Sequence, residues 1–278
     1  MTYRSLLVHL DSAPQAAARV DHAIALAQAM DCHLVGLAPT GLLTLPMAPE
    51  AAATLGDFSA LAWELLQEQA QQAATRFREA CATAGLRSCE ALTDTADSAG
   101  SLVRHAHCSD LVLLSQPDPG QPGQGAQRAM VEQVLLHSAR PSLLLPYTGS
   151  PKPLGRHALV AWDDSREATR AISDALPLLR RAERVQVLSW RESEADEPMA
   201  PRLAALRQWL AWQGVAAEVR EEYSDIGIAE ALLSRAADQD CDLIVMGAYG
   251  HTRLAERVLG GATRGLLQAM TVPVLMSH

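Results

Sequence analysis

At 278 residues, with 49 % hydrophobic and 20 % charged residues, the chain suits one large domain or two small ones and is too apolar for a disordered protein. Its 32 acidic residues against 23 basic ones, a net charge of −9, argue against a nucleic-acid binder or a polybasic membrane-surface protein. Five Trp, four Tyr and two Phe are too few and too scattered for a base-stacking platform.

In chain order, short apolar runs predict strands near residues 5–10, 33–38, 88–92, 110–115 and 142–146. The first of these is too short for a signal-peptide core, and no run approaches the ~20 apolar residues of a membrane helix. Five cysteines without CxxC or other paired spacing suit a reducing compartment, so the protein is expected in the cytoplasm. Residues 39–56, rich in Ala, Leu and Pro, read as a long loop, either a lid or partner contact or a disordered segment. Residues 147–156 crowd Pro, Gly and Ser around Lys152, the sole lysine, and read as a short stiff linker.

Beyond the linker the pattern alternates. Strands are predicted at 157–163, 185–190, 217–223, 242–247 and 272–277, with helices at 167–181, 201–213, 228–238 and 262–270. Asp164-Ser-Arg-Glu167 has capping-box spacing for the first helix. On the second, Trp209 and Trp212 with Leu206 and Leu210 form a stripe suited to core or interdomain packing. Strands such as Leu243-Ile-Val-Met246 are apolar throughout, as strands covered on both faces are. The alternation predicts right-handed βαβ units and a parallel sheet.

The two halves resemble each other. Leu6-Leu-Val-His-Leu-Asp11 matches Ala158-Leu-Val-Ala-Trp-Asp163 at an offset of 152. At an offset of 132, Asp110-Leu-Val-Leu-Leu114 matches Asp242-Leu-Ile-Val-Met246, and Leu135, Pro141 and Leu143 match Leu267, Pro273 and Leu275. One offset held over more than thirty residues indicates a tandem duplication, with domains at residues 1–148 and 155–278.

The chemistry-bearing segment is Gly247-Ala-Tyr-Gly250, nine residues, then Gly260-Gly261-Ala262-Thr263 entering a helix. Glycines let a bound group approach the backbone, and a helix amino terminus supplies unpaired N–H groups, together an anion cradle for phosphates. His251, Arg253 and Arg257 add cationic neighbours. Asp163, after the first strand, offers a carboxylate to a ribose hydroxyl or an adenine amino group, and helix capping is its plainer alternative. No Walker A or GxGxxG pattern is present.

Gly247-x2-Gly250-x9-Gly260, with its flanking Asp242–Met246 and the closing Thr271-Val-Pro-Val-Leu-Met276, resembles the universal stress protein family, as a tandem pair of its domains. The resemblance implies an α/β fold of two Rossmann-like, adenine-nucleotide-hydrolase-like domains, each a five-stranded parallel sheet of order 3-2-1-4-5 with helices on both faces. It implies ATP, with Mg2+, held in the second domain by Asp163, Met246, Gly247, Gly250, Gly260, Gly261, Ala262 and Thr263. It also implies an intramolecular pseudo-dimer and allows a homodimer. The family's ATP-binding pattern follows its last glycine with Ser or Thr, whereas this chain has Gly261, which keeps the N–H but lacks a hydroxyl worth about 1 kcal/mol.

In the first half, Gly247, Gly250, Gly260 and Gly261 correspond to Ser115, Asp118, Arg128 and Ala129, so no phosphate site is expected there. No catalytic or metal-binding residue is assigned. His105 and His107 are two apart on a helix and do not face one another, and His9 and Asp11 have no nucleophile at a recognisable elbow. The expectation is a stress-response regulatory protein that binds adenine nucleotide, without membrane or nucleic-acid partners. A ligand-independent interaction scaffold is the alternative.

Overall fold

A computed structural model describes residues 2–41, 49–121, 123–148, 154–191, 199–224, 226–250 and 261–278. The chain divides into two units, residues 3–114 and residues 115–278 with the first two residues. The first contains β1 (Ser5–His9), α1 (Ala16–Met30), β2 (His33–Pro39), α2 (Pro49–Thr83), β3 (Cys89–Asp94), α3 (Ser98–Ala106) and nearly all of β4 (Leu111–Ser115). The second contains α4 (Gln124–His137), β5 (Ser142–Leu145), β6 (His157–Ala161), α5 (Arg166–Leu179), β7 (Arg184–Arg191), α6 (Ala200–Trp212), β8 (Ala217–Tyr223), α7 (Ile228–Asp238), β9 (Leu243–Gly247), α8 (Gly261–Ala269) and β10 (Val274–Ser277). Among the described residues, no helix is long and apolar enough to cross a membrane.

In the first unit the strand order is β3-β2-β1-β4, all parallel. β1 is central, and Leu6, Leu7 and Val8 are fully buried, as a strand covered on both faces requires. Gly36 of β2 has no side chain because Phe77 of α2 occupies that space; a Cβ would lie 2.9 Å from its ring. In the second unit the order β8-β7-β6-β9-β10 is the 3-2-1-4-5 arrangement, again parallel. β5 is added antiparallel on β10.

The repeat is exact in three of the five strand pairs. At offset 152 β1 maps onto β6, and at offset 132 β4 maps onto β9 and β5 onto β10. The shared aspartates have a shared task. Asp110 accepts the N–H groups of Arg4 and Ser5 at 2.6 and 3.0 Å, and Asp242 accepts those of Gly155, Arg156 and His157 at 3.0–3.1 Å. Each carboxylate thereby satisfies the backbone leading into the central strand of its half. In the β5–β10 pairing, Leu143 faces Leu275, its own repeat mate, while 142 faces 276 and 144 faces 274. That register is the signature of a local two-fold axis through the pair.

Two expectations change. The predicted loop at 39–56 is helical from Pro49 onward, residues 42–48 lying outside the described residues. A proline at the first helical position costs nothing, because its missing N–H has no intrahelical partner. The run Glu50-Ala-Ala-Ala53 then carries strong helix formers without apolar periodicity to announce them. The Trp stripe on α6 is also only partly core. Leu206 and Leu210 are buried and Trp209 is half-buried, but Trp212 is 75 % exposed. Two residues past Leu210, it points roughly 200° around the helix from it.

Candidate functional site

In the second unit the backbone leaves β6 beside β9, where ligands of open α/β sheets sit outside the strand carboxyl ends. Trp162 still bonds across to Leu188 at 3.0 Å, and the chain then turns. Asp163 is exposed, and its Oδ1 accepts the Ser165 N–H at 3.1 Å; its other oxygen takes no hydrogen bond from a described residue. Asp164 adopts a left-handed φ of 60° and pairs with Arg202 of α6 at 2.7 and 2.6 Å. Hydrogen bonding to that guanidinium holds the Asp164 carboxyl below its usual range.

The cap of α5 is therefore Ser165, whose Oγ accepts the Ala168 N–H at 3.1 Å, and not a box between Asp164 and Glu167. The left-handed turn carries Asp164 away from the helix end. This leaves Asp163 uncommitted to capping and frees Glu167 for another role.

Opposite lies the glycine turn. Gly247 ends β9, and Ala248 extends the ladder one step by donating to Ser277 O at 2.8 Å. Gly247 packs directly on the first turn of α5. A Cβ there would stand 2.6 Å from Ala168 N, 2.7 Å from Glu167 C and 2.8 Å from Glu167 Cβ. Backbone atoms do not swing aside, so Gly247→Ala is expected to cost about 1–3 kcal/mol, read as a lowered urea midpoint.

Tyr249 then takes a left-handed φ of 54° and donates its N–H to Thr263 Oγ1 at 3.2 Å. Thr263 is 2 % exposed in the first turn of α8. Its hydroxyl thus braces the turn against the helix amino terminus and still has its own proton to donate. Burial pushes the Tyr249 phenol up to about 12.

The structure brings Gly247, Gly250, Gly261, Ala262 and Thr263 into one neighbourhood through that brace, and the β6–α5 turn meets it where a Gly250 Cβ would lie 3.8 Å from Ser165 Oγ. Gly261 is exposed and Ala262 half-buried at the helix start, where the first amides lack intrahelical acceptors. Met246 is 6 % exposed within β9, so its side chain belongs to the core. Gly260, with His251, Arg253 and Arg257, lies outside the described residues. Unpaired amides, a helix amino terminus and a glycine with no room for a side chain form a donor set that suits phosphate oxygens.

Glu167 carries no functional signal in the sequence. Its side chain is 5 % exposed, Oε1 is held by Arg166 at 3.0–3.1 Å, and Oε2 lies 3.4 Å from where a Gly250 Cβ would be. A carboxylate three residues past Asp164 looked like a capping partner. The signal that could have separated it was Ser165, an equally good cap one position later.

The first half is filled differently at the corresponding strand end. Arg19 of α1 is 1 % exposed, donates Nε to His9 O at 2.8 Å and Nη2 to Asp11 Oδ1 at 2.8 Å. His9 Nδ1 lies 3.4 Å from Asp11 Oδ2. Burial, only partly opposed by Asp11, pushes the His9 imidazole down to about 4. Asp11 is held below the ordinary carboxylate range, burial opposing and Arg19 prevailing. At offset 152 the counterparts of His9 and Arg19 are Ala161 and Ala171, so this cluster has no equivalent in the second half. At the counterparts of the glycine positions, Ser115 is buried at the end of β4 and Asp118 accepts the Gly120 N–H at 2.8 Å. Arg128 pairs with Glu132 at 3.0 Å within α4, and Ala129 lies inside that helix rather than at its start.

Residues 155–278 match the model of the universal stress protein family. No curated protein sequence matches the chain. Among solved structures, a universal stress protein from Archaeoglobus fulgidus DSM 4304 is similar with a TM-score of 0.73 at 16 % identity, over 98 % of this chain and 97 % of that one. A functionally unknown protein from Pseudomonas aeruginosa PAO1 is similar with a TM-score of 0.57 at 17 % identity, over 99 % and 92 %. At these identities the likeness is one of fold.

Proposed function

From the premise that residues 155–278 are a universal stress protein domain, we propose that the chain is a cytoplasmic stress-response regulator that binds one adenine nucleotide, in its second half. The observation that carries this reading is the glycine turn braced to the amino terminus of α8 by the Tyr249–Thr263 hydrogen bond. Gly247, Gly250, Gly260, Gly261, Ala262 and Thr263 would surround the phosphates of Mg2+-bound ATP, with Met246 forming the wall beneath. Asp163 would accept a hydrogen bond from the ribose or the base through its uncommitted oxygen. The first half, its glycines replaced and its strand end filled by Arg19, serves as a structural partner in a fused pair, with domains at 1–148 and 155–278. No nucleophile or catalytic base is assigned, so at most weak hydrolysis of the bound nucleotide is expected.

Isothermal titration of the full chain with Mg·ATP tests this. One site per chain is expected, and Asp163→Ala should weaken it by about ten- to a hundredfold, the loss of a hydrogen bond to a charged acceptor. Absence of binding heat at millimolar nucleotide would remove the nucleotide reading. A ligand-independent scaffold would then stand in its place. It is favoured by Leu61 and Leu65, 58 % and 51 % exposed one turn apart on α2.

A further inference from the structure

Glu167 is a feature of the glycine-loop neighbourhood that an anion cradle does not explain. Its carboxylate is 95 % buried, yet only Oε1 is engaged, by the guanidinium of the neighbouring Arg166. Oε2 takes no hydrogen bond from any described residue and approaches the Gly250 position to 3.4 Å. The backbone of Glu167 is fixed from behind by Gly247, whose Cα packs on its carbonyl carbon and Cβ. Burial of the side chain and the Arg166 contact keep the carboxylate against the turn. A carboxylate oxygen that faces the place where phosphates gather repels them unless a cation lies between.

One wall of the site thus offers amides and a helix amino terminus, and the other offers a carboxylate. A ligand that satisfies both carries both signs, as a polyphosphate holding a divalent cation does. Mg2+ is characteristically bound by one or two carboxylates together with substrate phosphates and waters, not by a cage of protein ligands. Among the described residues no cluster of three or more His, Cys, Asp or Glu could hold a metal alone, so the nucleotide has to bring the remaining oxygens.

We propose that Glu167 is the cation-side residue of this site and makes nucleotide binding conditional on a divalent metal. This rests on the nucleotide reading above and deepens it. Without the metal, Oε2 and the phosphates repel one another; with it, the same oxygen becomes a ligand. The site then discriminates in favour of di- and triphosphates carrying Mg2+ over the metal-free nucleotide. Exposed Arg166, bound only to Oε1, leaves that second oxygen available to the metal.

The experiment measures ATP dissociation constants for the full chain by calorimetry in EDTA and in excess Mg2+, for the wild type and for Glu167→Gln. The wild type should bind roughly 100-fold more weakly in EDTA, a coupling within the usual range for linked ligands. Glu167→Gln should bind better than the wild type in EDTA by about tenfold and gain less than about tenfold from Mg2+. Mn2+ added to the wild-type ATP complex should show enhanced water-proton relaxation, and the enhancement should fall in the variant. Equal metal dependence in both proteins overturns the proposal while leaving nucleotide binding intact. Wild-type ATP affinity that is the same in EDTA and Mg2+ overturns it without any variant, so a misfolded Glu167→Gln does not shelter it. No binding under either condition removes the nucleotide reading and this proposal together.

Discussion

Arg19→Met is expected to cost about 2–4 kcal/mol of stability, the loss of charge-assisted hydrogen bonds from a buried guanidinium to a carboxylate that is itself 25 % exposed. The guanidinium is 1 % exposed and bridges the His9 carbonyl and the Asp11 carboxylate, both at 2.8 Å. Methionine replaces most of the volume, so the loss reflects the stranded acceptors more than a cavity. Asp11, whose carboxyl Arg19 holds below the ordinary range, would sit beside a neutral neighbour, and its pKa would rise. Urea denaturation of the two proteins at neutral pH measures the difference, and a shift below about 1 kcal/mol would mean that Asp11 finds water instead. Replacing Asp11 by Asn in the same background should then recover part of the loss, because it removes the charge that Arg19 was there to meet.

The second large effect is a dependence of stability on pH between 4 and 6.5. His9 is 6 % exposed and its imidazole is pushed down to about 4 from an ordinary 6.5. The folded state therefore holds it neutral while the unfolded state protonates it as pH falls through 6.5. The unfolded chain binds more protons across this window, so stability falls as the solution is acidified and levels off below pH 4. The full span corresponds to about 3 kcal/mol. Asp11 acts lower down: its depressed carboxyl contributes stability above 3.8 that is lost as pH falls further. His9→Asn should flatten the limb between 4 and 6.5 and leave the steeper acid loss in place. Stability profiles of wild type and variant that coincide across that window would exclude His9 as its source. Arg19→Met should shorten the same limb from its acid end, because removing the cation leaves Asp11 to favour the imidazolium and raises the folded-state pKa towards the unchanged 6.5.

Strand positions were legible because β1, β4, β6 and β9 are built around apolar runs, as strands buried on both faces are, although inner β7 interrupts its run with Gln186 and Ser189. The duplication was legible because strand lengths survived: β4 and β9 are five residues each, β5 and β10 four. The glycine spacing identified the neighbourhood of Gly247 and Gly250, since backbone close approach leaves its mark in sequence as a missing side chain. Side-chain assignments on short polar stretches were much less readable. Asp163, Asp164 and Ser165 are all good helix caps, and only the left-handed turn at Asp164 decides among them. Arg19 is a single charge on an otherwise apolar helix face, beside Val20, Ala23, Ile24 and Ala27. Periodicity marks that position as buried, but the partner that makes burial tolerable is eight residues away, across a turn. The amino-terminal part of α2 was lost for the opposite reason, since a helix rich in alanine has no polar face to set the period.

The pairing of Leu143 with Leu275 has a consequence for how the halves can diverge. In a dimer of identical chains, every substitution is made twice, and a change at the axis meets itself. Here the same axis joins two stretches encoded separately, so each change is made once and is answered only if the other stretch permits it. The packing at the axis ties β5 and β10 to one another's history, while positions far from it, such as 9 and 161 or 19 and 171, are released. Substitution in this chain is therefore coupled at the seam and independent at the strand ends, which is where one half carries a buried arginine while the other carries glycines.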